Sequence, residues 1–429
     1  MVYDLIIIGA GAAGLFAGAS LPHPVNGLIL EKKPSPGRKL LMSGSGQCNL
    51  THGGSIKDFI GHYGKNGSRI RSVLYQFNNQ AVIGFFEKNG VPLFMRDDGK
   101  VFPKSLKAQD ILDVLTGLCA SNGLRTVYSS SVHQISFLCP DTEPVQRPGQ
   151  DRSETTSGYS SGHYLVCCGD QIYETKALII ATGGCSYPGT GSDGSFFSVL
   201  KDLGIELVPT SPALVPIFVE GYPYRDLSGI AVPDAEVSVN SHRIRDALLL
   251  THSCFSGPAI LMLSRYAKPG DKLVINYFPD RSEDDVFKEL YRSMTSNSKQ
   301  LQTALQDYFR KSAVDFPKRF LETICLRAGL DPAAKASSTA AHQLKSVVRF
   351  LIHDKYLVNS LGGFESAMVT TGGVALSEIN MKSMESLRFP NLRFAGEVLD
   401  VDGDTGGYNL QFAFSSGYLA VKNFSADLP

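Results

Sequence analysis

Residues 3–8 form a short apolar run, Tyr3-Asp4-Leu5-Ile6-Ile7-Ile8, that passes straight into Gly9-Ala10-Gly11-Ala12-Ala13-Gly14 and then into residues 15–21, a stretch with helical character. A second apolar run, Gly27-Leu28-Ile29-Leu30, ends on Glu31. This order predicts a buried strand, a glycine turn, a helix and a second parallel strand. The three glycines differ in what they allow. Gly9 permits the tight turn, Gly11 lets backbone approach a pyrophosphate, and Gly14 lets helix and strand pack closely. The helix N-terminus offers free N–H groups and a partial positive charge to phosphates. Glu31 follows the glycines by about 20 residues, where a carboxylate accepts both hydroxyls of an adenosine ribose. An acid there disfavours a 2′-phosphate, so the expected nucleotide is FAD or NAD rather than NADP.

A chain of 429 residues has room for two or three domains. Lys plus Arg number 41 and Asp plus Glu also 41. With no broad basic field, neither a nucleic-acid partner nor an anionic membrane is expected. The first strand starts so close to Met1 that no signal peptide is expected, and no apolar run approaches the roughly 20 residues of a spanning helix. The eight cysteines contain no CxxC, and the one close pair is Cys167-Cys168. A disulfide scaffold, a zinc or other metal site and a dithiol flavoenzyme site are therefore not expected; reduced cytoplasmic thiols are.

Strand and helix patterns alternate to about Gly204. Residues 109–122 read as a helix and 125–137 as one strand. Residues 140–162, rich in Ser, Thr, Gly and Pro, read as a long loop or hairpin tip. Residues 172–180 read as a strand running into Ala181-Thr182-Gly183-Gly184. Short strands then follow at 213–219, 235–239, 245–251 and 272–277. Residues 283–330 and 340–352 carry apolar side chains at helical spacing. Strand character returns at 356–376 and 392–397, and an apolar helix closes the pattern at 410–421. The layout predicted is a nucleotide domain interrupted by a β-plus-helical insertion and completed by the C-terminal stretch.

Three glycine-rich strand ends are expected to converge on one ligand: the N-terminal fingerprint, Ala181-Thr182-Gly183-Gly184, and Ala395-Gly396-Glu397-Val398-Leu399-Asp400 followed by Gly406-Gly407-Tyr408-Asn409. A carboxylate at a strand end can bind sugar-alcohol hydroxyls. A helix N-terminus can stabilise charge on a reduced isoalloxazine. Recognition at both ends of the fold favours the long cofactor FAD over NAD. The run Gly37-Arg38-Lys39, with Ser43-Gly44-Ser45-Gly46-Gln47-Cys48-Asn49, either contacts that cofactor or forms a solvated glycine-rich loop.

The runs at residues 37–51, 370–385 and 393–420, with Gly183 to Gly191, Ser211 to Pro216 and Leu250-Thr251-His252, resemble the FAD-dependent oxidoreductase family that includes aminoacetone oxidases and bacterial bile-acid enone reductases. The resemblance covers nearly the whole chain. It implies an α/β fold: a Rossmann-like, glutathione-reductase-like FAD domain (1–204 and 364–429) interrupted by a β-rich, barrel-like substrate domain (205–278 and 353–363) and a small helical domain (279–352). It implies non-covalent FAD held by Gly9, Gly11, Ala12, Ala13, Gly14, Glu31, Lys32, Gly37, Arg38, Ser43, Gly44, Gly46, Asn49, Ala181, Thr182, Gly183, Gly373, Gly396, Glu397, Asp400, Gly407, Tyr408, Asn409 and Leu410. Two positions depart from the family pattern: Gln47, where a basic residue is frequent, and Cys254, where glycine is.

No second GxGxxG unit occurs in the middle of the chain, which disfavours a reductase with two nucleotide domains. The preferred expectation is reduction of an activated C=C bond in a small apolar molecule, with NAD(P)H docking transiently as electron donor. The alternatives are an oxygen-dependent amine oxidase that releases hydrogen peroxide and a flavin-binding regulator without turnover. Flavin supplies the redox chemistry in either enzyme. The candidates for proton transfer are His252 and Tyr187, followed by Cys48 and His342.

Overall fold

The computed structural model describes residues 1–138, 162–311 and 316–425. The chain divides into two compact units, Met1–Pro212 with Ala367–Pro429 and Ala213–Ser366.

The first unit is built on a nine-stranded sheet. Its centre is parallel: Val2–Ile8 lies between Gly27–Leu30 and Gln171–Ile180, with Leu124–Val127 beyond the former and Leu392–Phe394 beyond the latter. Leu5, Ile6 and Ile7 are fully buried, as a central strand covered on both faces requires. Each such side chain contributes about 1.5–3 kcal/mol on burial. The helix Ala12–Ala19 buries every residue from Ala13 to Ala19, because it lies against the sheet and also packs on the C-terminal helix Tyr408–Val421. Small residues make that approach possible: a Cβ at Gly417 would stand 2.6 Å from the Ala13 carbonyl oxygen. Phe16 anchors the contact among Phe77, Phe85, Phe86 and Phe414.

Two strand expectations are corrected. Residues 125–137 form two strands, Leu124–Val127 in the parallel sheet and Val132–Leu138 in an antiparallel pair with His163–Cys168. Ser129, at φ 52°, turns the chain between them. The expected strand at 213–219 is likewise split. Leu214, at φ 54°, separates Leu207–Ala213 from Ile217–Val219. The segment 140–162 falls almost entirely outside the described residues.

The second unit holds a closed six-stranded antiparallel barrel formed by Ile217–Val219, Phe255–Ser256, His242–Leu250, Ala231–Val239, Lys272–Asn276 and Asp354–Leu361. Burial alternates along Asp354–Leu361, the period-two pattern of a wall with one face inward. The helices Glu283–Thr295, Leu301–Lys311, Lys318–Arg327 and Ala341–Ile352 share one apolar core with it. Ser282 caps the first of them by accepting from the Asp285 amide at 3.2 Å. At the heart of this unit the fully buried Asp354 carboxylate accepts hydrogen bonds from the phenols of Tyr224, Tyr277 and Tyr356 at 2.8, 3.0 and 2.5 Å and from Arg327 at 2.7 and 2.9 Å. Among the described residues no helix is long and apolar enough to cross a membrane, and no group of His, Cys, Asp or Glu is placed to hold a metal.

Candidate cofactor site

The glycine turn after the first strand is packed on one side and open on the other. The Gly9 amide donates to the Leu30 carbonyl at 2.8 Å, and its φ of 105° suits only glycine. A Cβ at Gly14 would lie 2.0 Å from the Gly9 carbonyl oxygen, whereas a Cβ at Gly11 would meet nothing within 4 Å. Gly11 caps the helix, and Ala12 and Ala13 open its first turn. The N–H groups of a first helical turn have no partner within the helix, and such a turn is where a phosphate binds.

Glu31 is buried beside this turn. Its carboxylate accepts from the Ala10 amide at 2.8 Å and from the Lys33 amide at 2.7 Å. It therefore holds the glycine loop itself, and its remaining lone pairs stay available for ribose hydroxyls. Glu31→Ala is expected to weaken FAD binding by about 1.5–3 kcal/mol, tenfold to a hundredfold. Fluorescence titration of the deflavinated variant measures it, and unchanged affinity would place the ribose elsewhere. Gly37 adjoins the same turn, its amide donating to the Ala10 carbonyl at 2.8 Å, and Arg38 follows exposed at the start of a short helix. Lys32 sits differently from expectation. Its ammonium donates to Asp193 at 2.5 Å and to Ser195 at 2.9 Å, so its charge is already paired within the protein.

Three side-chain oxygens around this cradle are buried without a partner: Asn49 Oδ1, Thr182 Oγ1 and Ser192 Oγ. Each costs about 1–3 kcal/mol if left unmade. Thr182 adjoins the Gly9 turn and Ser192 adjoins Gly183, while Asn49 adjoins Gly44, so each unpartnered oxygen lies beside one of the glycine-rich runs. Asn49 and Thr182 are expected from sequence, whereas Ser192 is not. Its hydroxyl stands 2.7 Å from where a Cβ of Gly183 would lie, and no local pattern distinguishes it from its neighbours. Backbone strain accompanies the group. Gly44, Ser45, Gly46 and Cys48 all have φ between 56° and 86°, and Ser43 braces the run by donating to the Leu40 carbonyl at 2.6 Å.

The C-terminal motif closes on the same strand ends. A Cβ at Gly396 would meet the Ala13 Cβ at 2.7 Å, one at Gly373 the Val398 carbonyl oxygen at 2.5 Å, and one at Gly407 the Thr51 backbone at 2.6 Å. The Ala181 amide donates to Ile8 and the Ala395 amide to Ile180. All three predicted strand ends are thus adjacent. The polar side chains of the motif, however, are engaged within the protein. Glu397 accepts from Lys39 at 2.6 Å, from Ser186 at 2.7 Å and from the Thr370 amide at 2.8 Å. Asp400 accepts from the Gly372 amide at 3.0 Å and from Asn66 at 3.1 Å. Asn409 clasps Gly403 at 2.7 and 2.9 Å. Tyr408 is buried at the start of the C-terminal helix, with Leu410 half-buried beyond it. The Tyr408 carbonyl accepts from the Tyr63 phenol at 2.7 Å.

The proton-transfer candidates are scattered. His252 is exposed on a turn of the second unit. That turn is braced by Thr251, whose hydroxyl donates to the Cys254 carbonyl at 2.8 Å and accepts from its amide at 3.1 Å. Tyr187 is half-buried in the first unit, at φ 54°. Cys48 is a poor candidate: burial pushes its thiol up to about 12, against an opposing hydrogen bond from Ser43. His342 is exposed in the first turn of Ala341–Ile352. Sequence reasoning passes over His62, whose Nδ1 lies 2.9 Å from Asp404 Oδ2 and whose ring stacks on Tyr408 at 4.0 Å.

The chain is similar over nearly its full length to proteins of known name. It is 30% identical over 428 residues to the ribosomal RNA dihydrouridine synthase of Escherichia coli (strain K12), covering 99% of this chain and 98% of that one. It is 27% identical over 431 residues to the 3-dehydro-bile acid delta(4,6)-reductase of Clostridium scindens, covering 97% of each. In fold it is similar to the 3-ketosteroid delta1-dehydrogenase of Sterolibacterium denitrificans, with a TM-score of 0.50 at 11% identity over 99% of each chain. A family model described as HI0933-like protein Rossmann domain matches residues 3–423. The chain belongs to that HI0933-like family, and it is an FAD-dependent oxidoreductase.

Proposed function

We propose that this protein uses non-covalently bound FAD to reduce a C=C bond conjugated with a carbonyl, with NAD(P)H as electron donor and a small apolar molecule as substrate. The observation that carries the reading is a shared bond chemistry. A dihydrouridine synthase and a bile-acid delta(4,6)-reductase are named for unlike substrates, yet both names describe saturation of a C=C bond in conjugation with a carbonyl. The cradle supports the flavin: Gly11 backbone for the pyrophosphate, Glu31 for the ribose, and Asn49, Thr182 and Ser192 for polar edges. When bound, the flavin supplies the hydride. The chain's own residues position the acceptor and move protons. Tyr187, which belongs to the same unit as the cradle, is proposed to donate a hydrogen bond to the substrate carbonyl, which draws electron density from the double bond. A cytoplasmic location is part of the proposal, in keeping with seven described cysteines that are all unpaired thiols.

A second reading takes uridine in ribosomal RNA as the acceptor. It is favoured by the names of two relatives at 30% identity, from Escherichia coli and Haemophilus influenzae.

Anaerobic mixing with NADH or NADPH is expected to bleach the flavin, and a conjugated enone to restore its colour. Stopped-flow absorbance follows both halves. Bleaching by aminoacetone without nicotinamide would instead establish an amine oxidase, and bleaching by neither donor would sink the reductase. Colour restored by a ribosomal RNA transcript but by no small enone would transfer the substrate assignment to uridine. Flavin left with the acid-precipitated protein would overturn non-covalent binding.

A further inference from the structure

The C-terminal motif contains an acid that the cofactor reading does not use. Asp404 lies between the strand end at Glu397 and the glycine pair Gly406-Gly407 that opens the C-terminal helix. It is held from several directions. Asn409 Nδ2 donates to its carbonyl at 3.2 Å, and its own amide donates to the His62 carbonyl at 2.8 Å. Its carboxylate then reaches back to the side chain of that same histidine, Oδ2 to Nδ1 at 2.9 Å. The imidazole lies flat on the Tyr408 ring, 4.0 Å between centroids and 15° between planes, and His52 stacks on Tyr408 at 5.5 Å and 18°. Burial, with Asp404 and Asp58 nearby, pushes the Tyr408 phenol up to about 12, so the stacking partner stays neutral.

This arrangement settles which nitrogen of His62 is committed. A carboxylate at Nδ1 accepts the proton of that nitrogen, which leaves Nε2 as the nitrogen free to meet a ligand. His62 Nε2 has no partner among the described residues, and the side chain is 39% exposed, so a ligand can reach it. His163 and His353 also meet a carboxylate through one nitrogen, but among the described residues neither has a ring stacked on it as His62 has Tyr408. His62 is oriented by a carboxylate and an aromatic platform and left open at its far end. The charged and titratable groups around it are Asp404, Tyr408, Tyr63, Asp58 and, across Tyr408, His52.

Resting on the reductase reading above, we propose that the Asp404–His62 pair is the proton donor of the reaction. Saturating a conjugated C=C bond adds a hydride at the β-carbon, moves the π electrons toward the carbonyl, and requires a proton at the α-carbon. His62 Nε2 gives up that proton as the C–H bond forms. The neutral imidazole is reprotonated from water, and Asp404 holds the ring in place.

The test uses the holoprotein, reduced anaerobically with NADPH and then mixed with 2-cyclohexenone, a 3-oxo-Δ4,6 bile acid or a ribosomal RNA transcript. In the wild type the rate of flavin reoxidation should fall as pH rises through the imidazole range. In His62→Gln it should be about a hundredfold slower or more and lose that pH dependence. Asp404→Asn, which keeps the histidine but no longer fixes its ring, should slow reoxidation by less than His62→Gln does and leave flavin reduction unchanged. Flavin reduction by NADPH and FAD affinity serve as controls on each variant. Reoxidation of His62→Gln at the wild-type rate and pH profile would overturn the proposal. So would equal slowing of both half-reactions, which marks a structural role. If none of the three acceptors reoxidises the wild type, the reductase reading itself has failed and the proton donor with it.

Discussion

Gly14→Ala is expected to yield protein without flavin. The added methyl carbon would stand 2.0 Å from the Gly9 carbonyl oxygen and 3.2 Å from the Ala181 Cβ. Neither neighbour can give way, since one is backbone at the phosphate turn and the other ends a central strand of the parallel sheet. The helix Ala12–Ala19 must therefore withdraw. It cannot do so alone, because the Ala13 carbonyl lies against Gly417 on its other side. Overpacking of this kind costs about 1–3 kcal/mol in a deformable core, and this site is less deformable than most. The withdrawal also carries the N–H groups at Gly11, Ala12 and Ala13 away from the phosphates they would bind. The ratio of visible flavin absorbance to protein absorbance measures the loss, with circular dichroism as the check on folding. A folded variant that purifies with wild-type flavin content would show that the pyrophosphate lies elsewhere.

Asp354→Asn is expected to destabilise the second unit by about 3–5 kcal/mol. The carboxylate is wholly buried and satisfies three phenols and one guanidinium. The amide keeps the volume but loses the charge, so Arg327 is left with its side chain 19% exposed and no counter-ion. Arg327 cannot simply swing out to water, since its guanidinium is sandwiched at 4.4 Å over Phe350 and 5.4 Å over Tyr356. At least two of the four donor groups must also lose their acceptor, because an amide oxygen offers two lone pairs where the carboxylate offered four. Urea unfolding followed by circular dichroism tests this, and a midpoint matching the wild type would mean that the cluster contributes nothing to stability.

The parallel core was legible because periodicity and glycine placement are local signals. Residues 3–31 alone specify strand, turn, helix, strand and acid. The convergence of Gly9, Ala181 and Gly396 was legible for the same reason, as each lies at the end of an apolar run. What could not be read was the partner of each polar side chain. Glu397, Asp400 and Asn409 occupy the expected motif, yet bond to Lys39, Gly372 and Gly403, contacts that bridge up to hundreds of positions in the chain. Ser192 and His62 sit in stretches with no periodic or compositional mark, and gain their chemical setting only from Gly183 and Asp404 across the fold. The two split strands were hidden because a serine and a leucine, at Ser129 and Leu214, take the left-handed backbone usually reserved for glycine. Propensity gives no warning of that.

The pairing of Leu392–Phe394 with Leu178, Ile179 and Ile180 sets an order on biogenesis. A nascent chain emerging from the ribosome can close its six-stranded barrel once Leu361 has met Ile217. Within the parallel sheet, residues 171–175 can pair early with His163–Cys168, but residues 178–180 stay unpaired on that side until Leu392–Phe394 has been made. Flavin capture is thereby postponed until the strand at residues 392–394 has emerged, so a chain stopped before Leu392 is expected to assemble the barrel without taking up pigment.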